Sequence, residues 1–496
     1  MIHENNNFET KLHIENNHAP KSTKIIMILC LAILFAYMLS IGIRLFTRFV
    51  LVNKYGVSNG FVDAVFFDNS QLAHNEQEEE QEVFVCWDVR YPFEEDNKER
   101  IDRYTEERNE IKGTIISIDD HPLAENVFQV ESVVDSFATT FLAGHNYMYQ
   151  ASGALDKMLL WDFCGVNEQD ARSEKQVLYM KNGHLTYSEN MATEEELEEM
   201  ADSVLELKQF LDEEQIPLLY CNVGTKVNSE NNQIPECLQC YENSNEKADA
   251  LLQALDHRGI ATLDFRKLLR ESTLDWDNAY YLTDHHWNTR TQLWAAGEIA
   301  KYLNRNLDFE IDLDKLSKDA YEITDCGRIM FGSMARGVSF AKASTETFES
   351  VYPRFATNYH LEIPSRVIDV EGEYTETMIN QTILESIPNY RMDDFFAKPD
   401  AYSAIRLDND PLAIITNNQM ETGKKILMIQ DSYGWYVSSF LAEGVREIDV
   451  IYPMEFTGSI QTYIRETNPD MVIILYGDMN ITPIVWSTHR GMFDFR

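Results

Sequence analysis

From Thr193 onward the chain alternates helical and strand-like apolar patterns, and this constrains the fold more than any other feature. Thr193-Glu194-Glu195-Glu196 has the form of a capping box opening a helix to about Glu213. Ile216 to Val223 is a short run of the kind buried on both faces. A second helix is expected from Glu242 or Asn243 to Arg258, and a second strand from Ile260 to Phe265. Later come Lys424 to Gln430, a helix from Trp435, a strand from Ile448 to Tyr452, a helix from Ser459 to Glu466 and a last strand from Pro469 to Gly477. Repeated helix-strand units imply an α/β domain with a mostly parallel sheet flanked by helices. In such a sheet the ligand crevice lies at the carboxyl ends of the strands, which brings Asn222, Gly224, Thr225 and Lys226 near a site. Each is weighted toward loop structure over substrate contact. Residues 307–422 break the rhythm and read as a β-rich insertion, with strands from Tyr359 to Val370 and Pro411 to Thr416.

Tyr281-Leu282-Thr283-Asp284-His285-His286-Trp287-Asn288 is the most reactive stretch. A catalytic imidazole needs an acceptor at one ring nitrogen to fix its tautomer and a free second nitrogen to take a proton. In an extended or turn segment Asp284 and His286 project to one side, so the carboxylate can reach the ring, and His285 is expected to point away. Asn288 suits the N-cap of a helix from Thr289 to Asn304. The nucleophile that fits this pair is Ser432, in a sharp Asp431-Ser432-Tyr433-Gly434 turn between a buried strand and a helix. There its own amide would face a developing oxyanion. Asp284, His286 and Ser432 together point to acyl transfer, and a buried structural Asp-His pair is the bland alternative. A metal held by Asp284, His285 and His286 is disfavoured because adjacent histidines usually diverge, so no metal and no cofactor is called for.

These two motifs resemble the bacterial DHHW proteins, relatives of the alginate O-acetylation proteins of the SGNH hydrolase superfamily. In that group the Asp-x-His pair precedes the serine. The resemblance spans roughly residues 130–485 and implies an SGNH-like domain that makes or cleaves esters on a surface carbohydrate. It also implies a hairpin at Val177 to Tyr187, with Lys181-Asn182-Gly183 at its turn, opening the domain. In the superfamily's last block a strand ends in Gly-x-Asn-Asp. Gly477 is in register, Met479 stands in the asparagine position and Asn480 comes one residue late. Gln430 stands where glycine often precedes Asp-Ser. Gly477, Asn480, Asn222 and Tyr433 are the candidates for oxyanion or substrate contacts.

A formal charge of −40 in 496 residues argues against nucleic acid and anionic membrane surfaces as partners. Residues 25–43 carry no charge, and at ~1.5 Å per residue they are long enough to cross a ~30 Å hydrocarbon core. No small-x-small cleavage site follows, so residues 25–46 read as an uncleaved signal anchor after a short tail, 1–24. Residues 47–125, with the run Glu76 to Glu82, read as an acidic spacer, and 126–496 as the catalytic domain. Lysines and arginines flank the anchor on both sides, so the placement of the catalytic domain outside the cytoplasm comes from the resemblance. Cys237 and Cys240 form a single C-x-x-C, read as a local disulfide or two free thiols over a metal site. The resemblance implies a single-pass cell-membrane protein that O-acetylates or deacetylates an exported polysaccharide, with a separate membrane-bound O-acyltransferase as acetyl supplier. The alternative of another class is a catalytically inactive, membrane-tethered carbohydrate-binding or assembly protein.

Overall fold

The structure, a computed structural model, describes residues 177–496 apart from 190, 236–238, 240–241, 339, 341–342, 392–393 and 482–490. The apolar stretch 25–43, the acidic run 76–82 and the Cys237/Cys240 pair lie outside the described residues. Among the described residues no helix is long and apolar enough to cross a membrane.

Strands β1 (Val177–Tyr179) and β2 (Leu185–Tyr187) form the expected hairpin, and Gly183 takes the positive φ its turn requires. The capping box at Thr193 closes in both directions and starts helix α1 (Glu194–Glu214). Then follow β3 (Leu218–Val223), α2 (Ser244–His257), β4 (Thr262–Asp264) and α3 (Phe265–Glu271). The N-cap of α4 (Thr289–Leu307) is Asn288, whose side chain accepts from the Thr291 amide. The middle of the chain supplies β5 (Tyr321–Asp325), α5 (Ser333–Arg336), β6 (Glu349–Pro353), β7 (Tyr359–Ile363), β8 (Ile368–Gly372) and β9 (Ala413–Asn417). The end supplies β10 (Lys425–Gln430), α6 (Trp435–Leu441), β11 (Glu447–Ile451), α7 (Ile460–Thr467) and β12 (Met471–Gly477).

Eight strands form one sheet in the order β4-β3-β12-β10-β11-β9-β7-β8. Its inner strands are buried on both faces, and their alternate residues feed two separate cores. Leu219, Cys221, Ile426, Met428, Ile473 and Leu475 pack with α4 and α6. Leu218, Tyr220, Leu427, Ile429, Val472 and Ile474 pack with α1, α2 and α7. Continuous apolar runs are what parallel strands covered on both sides need.

The sheet is mixed, which corrects the expectation of a mostly parallel one. The five strands from β4 to β11 run parallel, whereas β9, β7 and β8 join antiparallel. The segment expected to be an insertion therefore widens the main sheet. Its strands carry the signature of a half-wetted face: in β7, Tyr359, Leu361 and Ile363 are buried while His360 and Glu362 are part-exposed. The single strand expected from Tyr359 to Val370 is a hairpin, because Pro364 opens a 3-10 turn that Val367 closes at φ 54°. Among the described residues of this region, only β5 and β6 form a separate ribbon.

Replacing the Thr193 cap should cost about 1 kcal/mol. Urea unfolding of Thr193→Ala against the parent is expected to show a lower midpoint with an unchanged slope.

Candidate active site

The segment from Tyr280 to Asn288 folds back on itself before α4 begins. Tyr280 and Trp287 form an antiparallel bridge, the Tyr281 amide donates to His286 O, and the Asn288 amide donates to Ala279 O. Asp284 sits in the bend. Its Oδ1 accepts the His286 amide at 3.0 Å and lies 2.6 Å from His286 Nδ1, the short-range reach expected for residues two apart. Its Oδ2 accepts the Ser333 amide at 2.7 Å. That approach depends on Gly332, where a Cβ would stand 2.3 Å from Asp284 Cβ. Burial would raise the Asp284 pKa, but the His285 and His286 rings and hydrogen bonds from His286 and Ser333 outweigh it. The carboxyl is held well below its ordinary range.

Ser432 projects from the junction of β10 and α6. Asp431 caps the turn, accepting the Tyr433 amide on its side chain at 2.9 Å. Ser432 Oγ lies 2.7 Å from His286 Nε2, so groups 146 positions apart in sequence meet. The imidazole thus has the carboxylate on one nitrogen and the hydroxyl on the other. Tyr402 stacks on its face with ring centroids 4.0 Å apart, and Tyr402 OH donates to Ser432 O at 2.7 Å. Trp287 Nε1 donates to Tyr433 O at 2.9 Å, joining the two segments again. Gln430, which departs from the superfamily pattern, accepts from the Ser438 hydroxyl; a Cβ at Gly434 would stand 2.3 Å from its Oε1.

Of the expected oxyanion and substrate candidates, Gly477, Asn480 and Tyr433 are committed elsewhere and Asn222 is sealed in the sheet. Gly477 N–H and Asn480 Nδ2 both donate to Asp431 Oδ2, at 2.7 and 2.5 Å. Burial still pushes the Asp431 carboxyl above its ordinary range. Asn222 is fully buried on β3, opposite Tyr476 and beside Asp478. Tyr433 OH donates to His285 O at 2.9 Å, and its ring fills the space over Gly477. Among the described residues none accepts from the Ser432 amide.

His285 does not point away, contrary to the reading from residue alternation. Its ring lies 3.8 Å from that of His286, and its Nδ1 lies 2.9 Å from Ser333 Oγ. The Tyr433 bond to its carbonyl and the Ser333 hydroxyl turn the side chain back toward its neighbour. Asp284, His285 and His286 therefore present ligand atoms within 4.8 Å of one another, so divergence is no longer a reason to set a metal aside. Within the protein, however, Asp284 and His286 already spend those atoms on one another, on Ser333 and on Ser432.

Two supports hold this loop, of which the sequence named Lys226, as a residue near the site at a strand end, and did not name Glu346. Lys226 Nζ, in the loop after β3, donates to the carbonyls of Tyr281, Leu282 and Asp284. Glu346 accepts from the Leu282 and Thr283 amides and the Thr283 hydroxyl. Lys226 carried only its position at a strand end as a signal, and Glu346 carried none. A narrow cleft bounded by Tyr187, Lys226, His285, Tyr433 and Met479 opens beside the paired rings.

Residues 175–362 match the family described as SGNH hydrolase-like domain, acetyltransferase AlgX, a stretch that includes the Asp284–His286 loop and ends before Ser432. No curated protein matches the chain. Among solved structures, Bacillus cereus PatB1 with a sulfonyl adduct aligns with a TM-score of 0.52 at 15% identity, over 65% of this chain and 99% of that one. A DHHW family protein from Eubacterium siraeum aligns at 0.46 and 15%, over 62% and 92%. The O-acetyltransferase domain of Pseudomonas putida AlgJ aligns at 0.34 and 11%, over 62% and 92%. At these identities the PatB1 likeness speaks to the fold, an α/β SGNH-like architecture.

A Cβ at position 332 should force Asp284 off His286. Gly332→Ala is expected to abolish the far-downfield imidazole proton resonance that a 2.6 Å Asp-His contact produces, and to cost about 1–3 kcal/mol of stability. Proton NMR and urea unfolding of the variant check both.

Proposed function

We propose that this chain, which carries an SGNH hydrolase-like domain of the AlgX type, is a serine-dependent carbohydrate O-acetyltransferase that releases acetate when water replaces the sugar acceptor. The observation that carries the reading is the unbroken series from Asp284 Oδ1 through His286 to Ser432 Oγ, with contacts of 2.6 and 2.7 Å. Each group then has one role. Asp284, ionised in its buried niche, keeps the His286 proton on Nδ1. His286 Nε2 takes the Ser432 proton as Oγ attacks the acetyl carbonyl. The tetrahedral oxyanion forms against the Ser432 amide at the head of a helical turn. Collapse expels the donor's alkoxide or phenolate, which His286 protonates, and leaves an acetyl ester on Ser432. In the second half His286 removes the proton of a sugar hydroxyl, whose oxygen attacks the ester and regenerates the serine.

The wider setting belongs to the same proposal. Residues 25–46 tether the protein to the cell membrane with the catalytic domain outside the cytoplasm. An exported polysaccharide is the acceptor, and a membrane-bound O-acyltransferase supplies acetyl groups. The uncharged stretch 25–43 supports the tether, and the match to an acetyltransferase family supports transfer over simple hydrolysis.

Sulfonyl fluorides trap activated serines, and the PatB1 structure carries a sulfonyl adduct. Treatment of the full-length protein with methanesulfonyl fluoride should modify Ser432, read by peptide mass spectrometry. Ser432→Ala should abolish the modification, and His286→Ala should slow it roughly 10²–10⁴-fold. Parent protein left unmodified at Ser432 would refute the reading.

A further inference from the structure

The loop that carries Asp284 is gripped from opposite sides by two buried charges. Lys226, 3% exposed, spends its three ammonium protons on Tyr281 O at 2.5 Å, Asp284 O at 2.6 Å and Leu282 O at 3.3 Å. Glu346, 7% exposed, accepts Thr283 N at 2.6 Å, Leu282 N at 2.7 Å and Thr283 Oγ1 at 2.5 Å. Carbonyls are thus held by a cation and amides by an anion across the same few residues, and the two charges attract each other through the loop.

Both grips are themselves anchored. Lys226 follows β3 of the main sheet, and its carbonyl accepts from Trp276 Nε1 at 2.8 Å. Glu346 is bridged to Met330 by reciprocal backbone bonds of 2.8 and 3.1 Å, just ahead of Gly332 and Ser333. The Gly332 amide reaches back to Thr283 Oγ1 at 3.1 Å, and the Ser333 amide holds Asp284 Oδ2. A lysine and a glutamate taken out of water are a costly way to tie down a loop that backbone bonds already close. The cost has a purpose if the loop's exact placement matters more than its mere folding.

We propose that Lys226 and Glu346 are positioning residues for acyl transfer, fixing the Asp284 backbone so that the carboxylate orients His286 toward Ser432; this rests on the serine reading above. Neither touches the reacting atoms, so their loss should appear in kcat and leave KM alone. A displacement of about 1 Å in a reacting group lowers rates by up to about 10²-fold.

The lysine adds a pH signature. Glu346 and Asp284 face its ammonium across the loop, and His184, held neutral down to about pH 4 by burial and by Lys226, lies beside it. The cleft adds His285 and Glu189. Burial, against the attraction of Glu346 and Asp284, brings the Lys226 pKa down from 10.5 to about 8. Above that pH a neutral amine has two protons for three carbonyls, and its attraction to Glu346 is gone. The folded pKa lies below the unfolded value, so between the two the unfolded state binds more protons and this group's contribution to stability rises with pH. Activity and stability should therefore move in opposite directions.

The test uses the full-length protein and 4-nitrophenyl acetate, with methanesulfonyl fluoride modification of Ser432 run in parallel. Parent kcat is expected to fall between about pH 7.5 and 9.5 while the unfolding midpoint rises. Lys226→Met should lower kcat about 10–100-fold at constant KM, and Lys226→Arg should recover most of the rate and lose the alkaline fall. Because Lys226→Met can fail to fold, the parent profile and Glu346→Gln, expected to lower kcat, stand as independent measurements. A flat parent profile, or a folded Lys226→Met with parental kcat, would overturn the positioning role while Ser432 is still modified. A parent protein that is not modified at Ser432 would instead remove the serine reading beneath it.

Discussion

The 2.6 Å contact between Asp284 and His286 is the interaction on which the rest of the site depends. A carboxylate fully withdrawn from water is unfavourable unless every lone-pair direction is answered. Here the His286 amide and ring, the Ser333 amide and the neighbouring His285 answer it. The imidazole then has no freedom to turn: Tyr402 stacks on it, the His285 ring lies 3.8 Å away, and its second nitrogen meets Ser432. The aspartate fixes the ring, and the ring chooses the serine.

The sheet makes that meeting possible. β10 and β12 run parallel at the centre, and Ser432 emerges where β10 gives way to α6. The Asp-x-His loop closes just before α4, which packs beside α6 in the same core. The two motifs therefore arrive at one end of the sheet because their helices share a face. Asp431 secures the serine's side by gathering the Tyr433 and Gly477 amides and the Asn480 side chain around one carboxylate. Lys226 and Glu346 secure the other side. The site is thus a junction of loops held by three buried charges, each of which accepts or donates at least two backbone bonds.

Much of this was legible because it is local. The Thr193 capping box, the Asn288 cap, the turn at Gly183 and the apolar runs of β3, β10 and β12 all depend on neighbours within a few residues, and they stand close to where the sequence places them. The pairing of Asp284 with His286 is local as well. What could not be read depends on distant partners. His285 turns inward because Tyr433 and Ser333 hold it, and Gly477 and Asn480 donate to Asp431 because the pairing of β10 with β12 brings that carboxylate beside them. The region from 307 to 422 joined the main sheet through pairings of β9 with β11 and β7, which no local pattern announces.

The chemistry assigned to the site reduces to one covalent species. Rapid acid quench of the full-length protein during turnover of an acetyl ester, followed by peptide mass spectrometry, tests for it directly. The account predicts an acetyl group on the Ser432 hydroxyl that disappears when an oligosaccharide acceptor is added in excess. Acetyl found on another side chain, or turnover with Ser432 never acetylated, would contradict it.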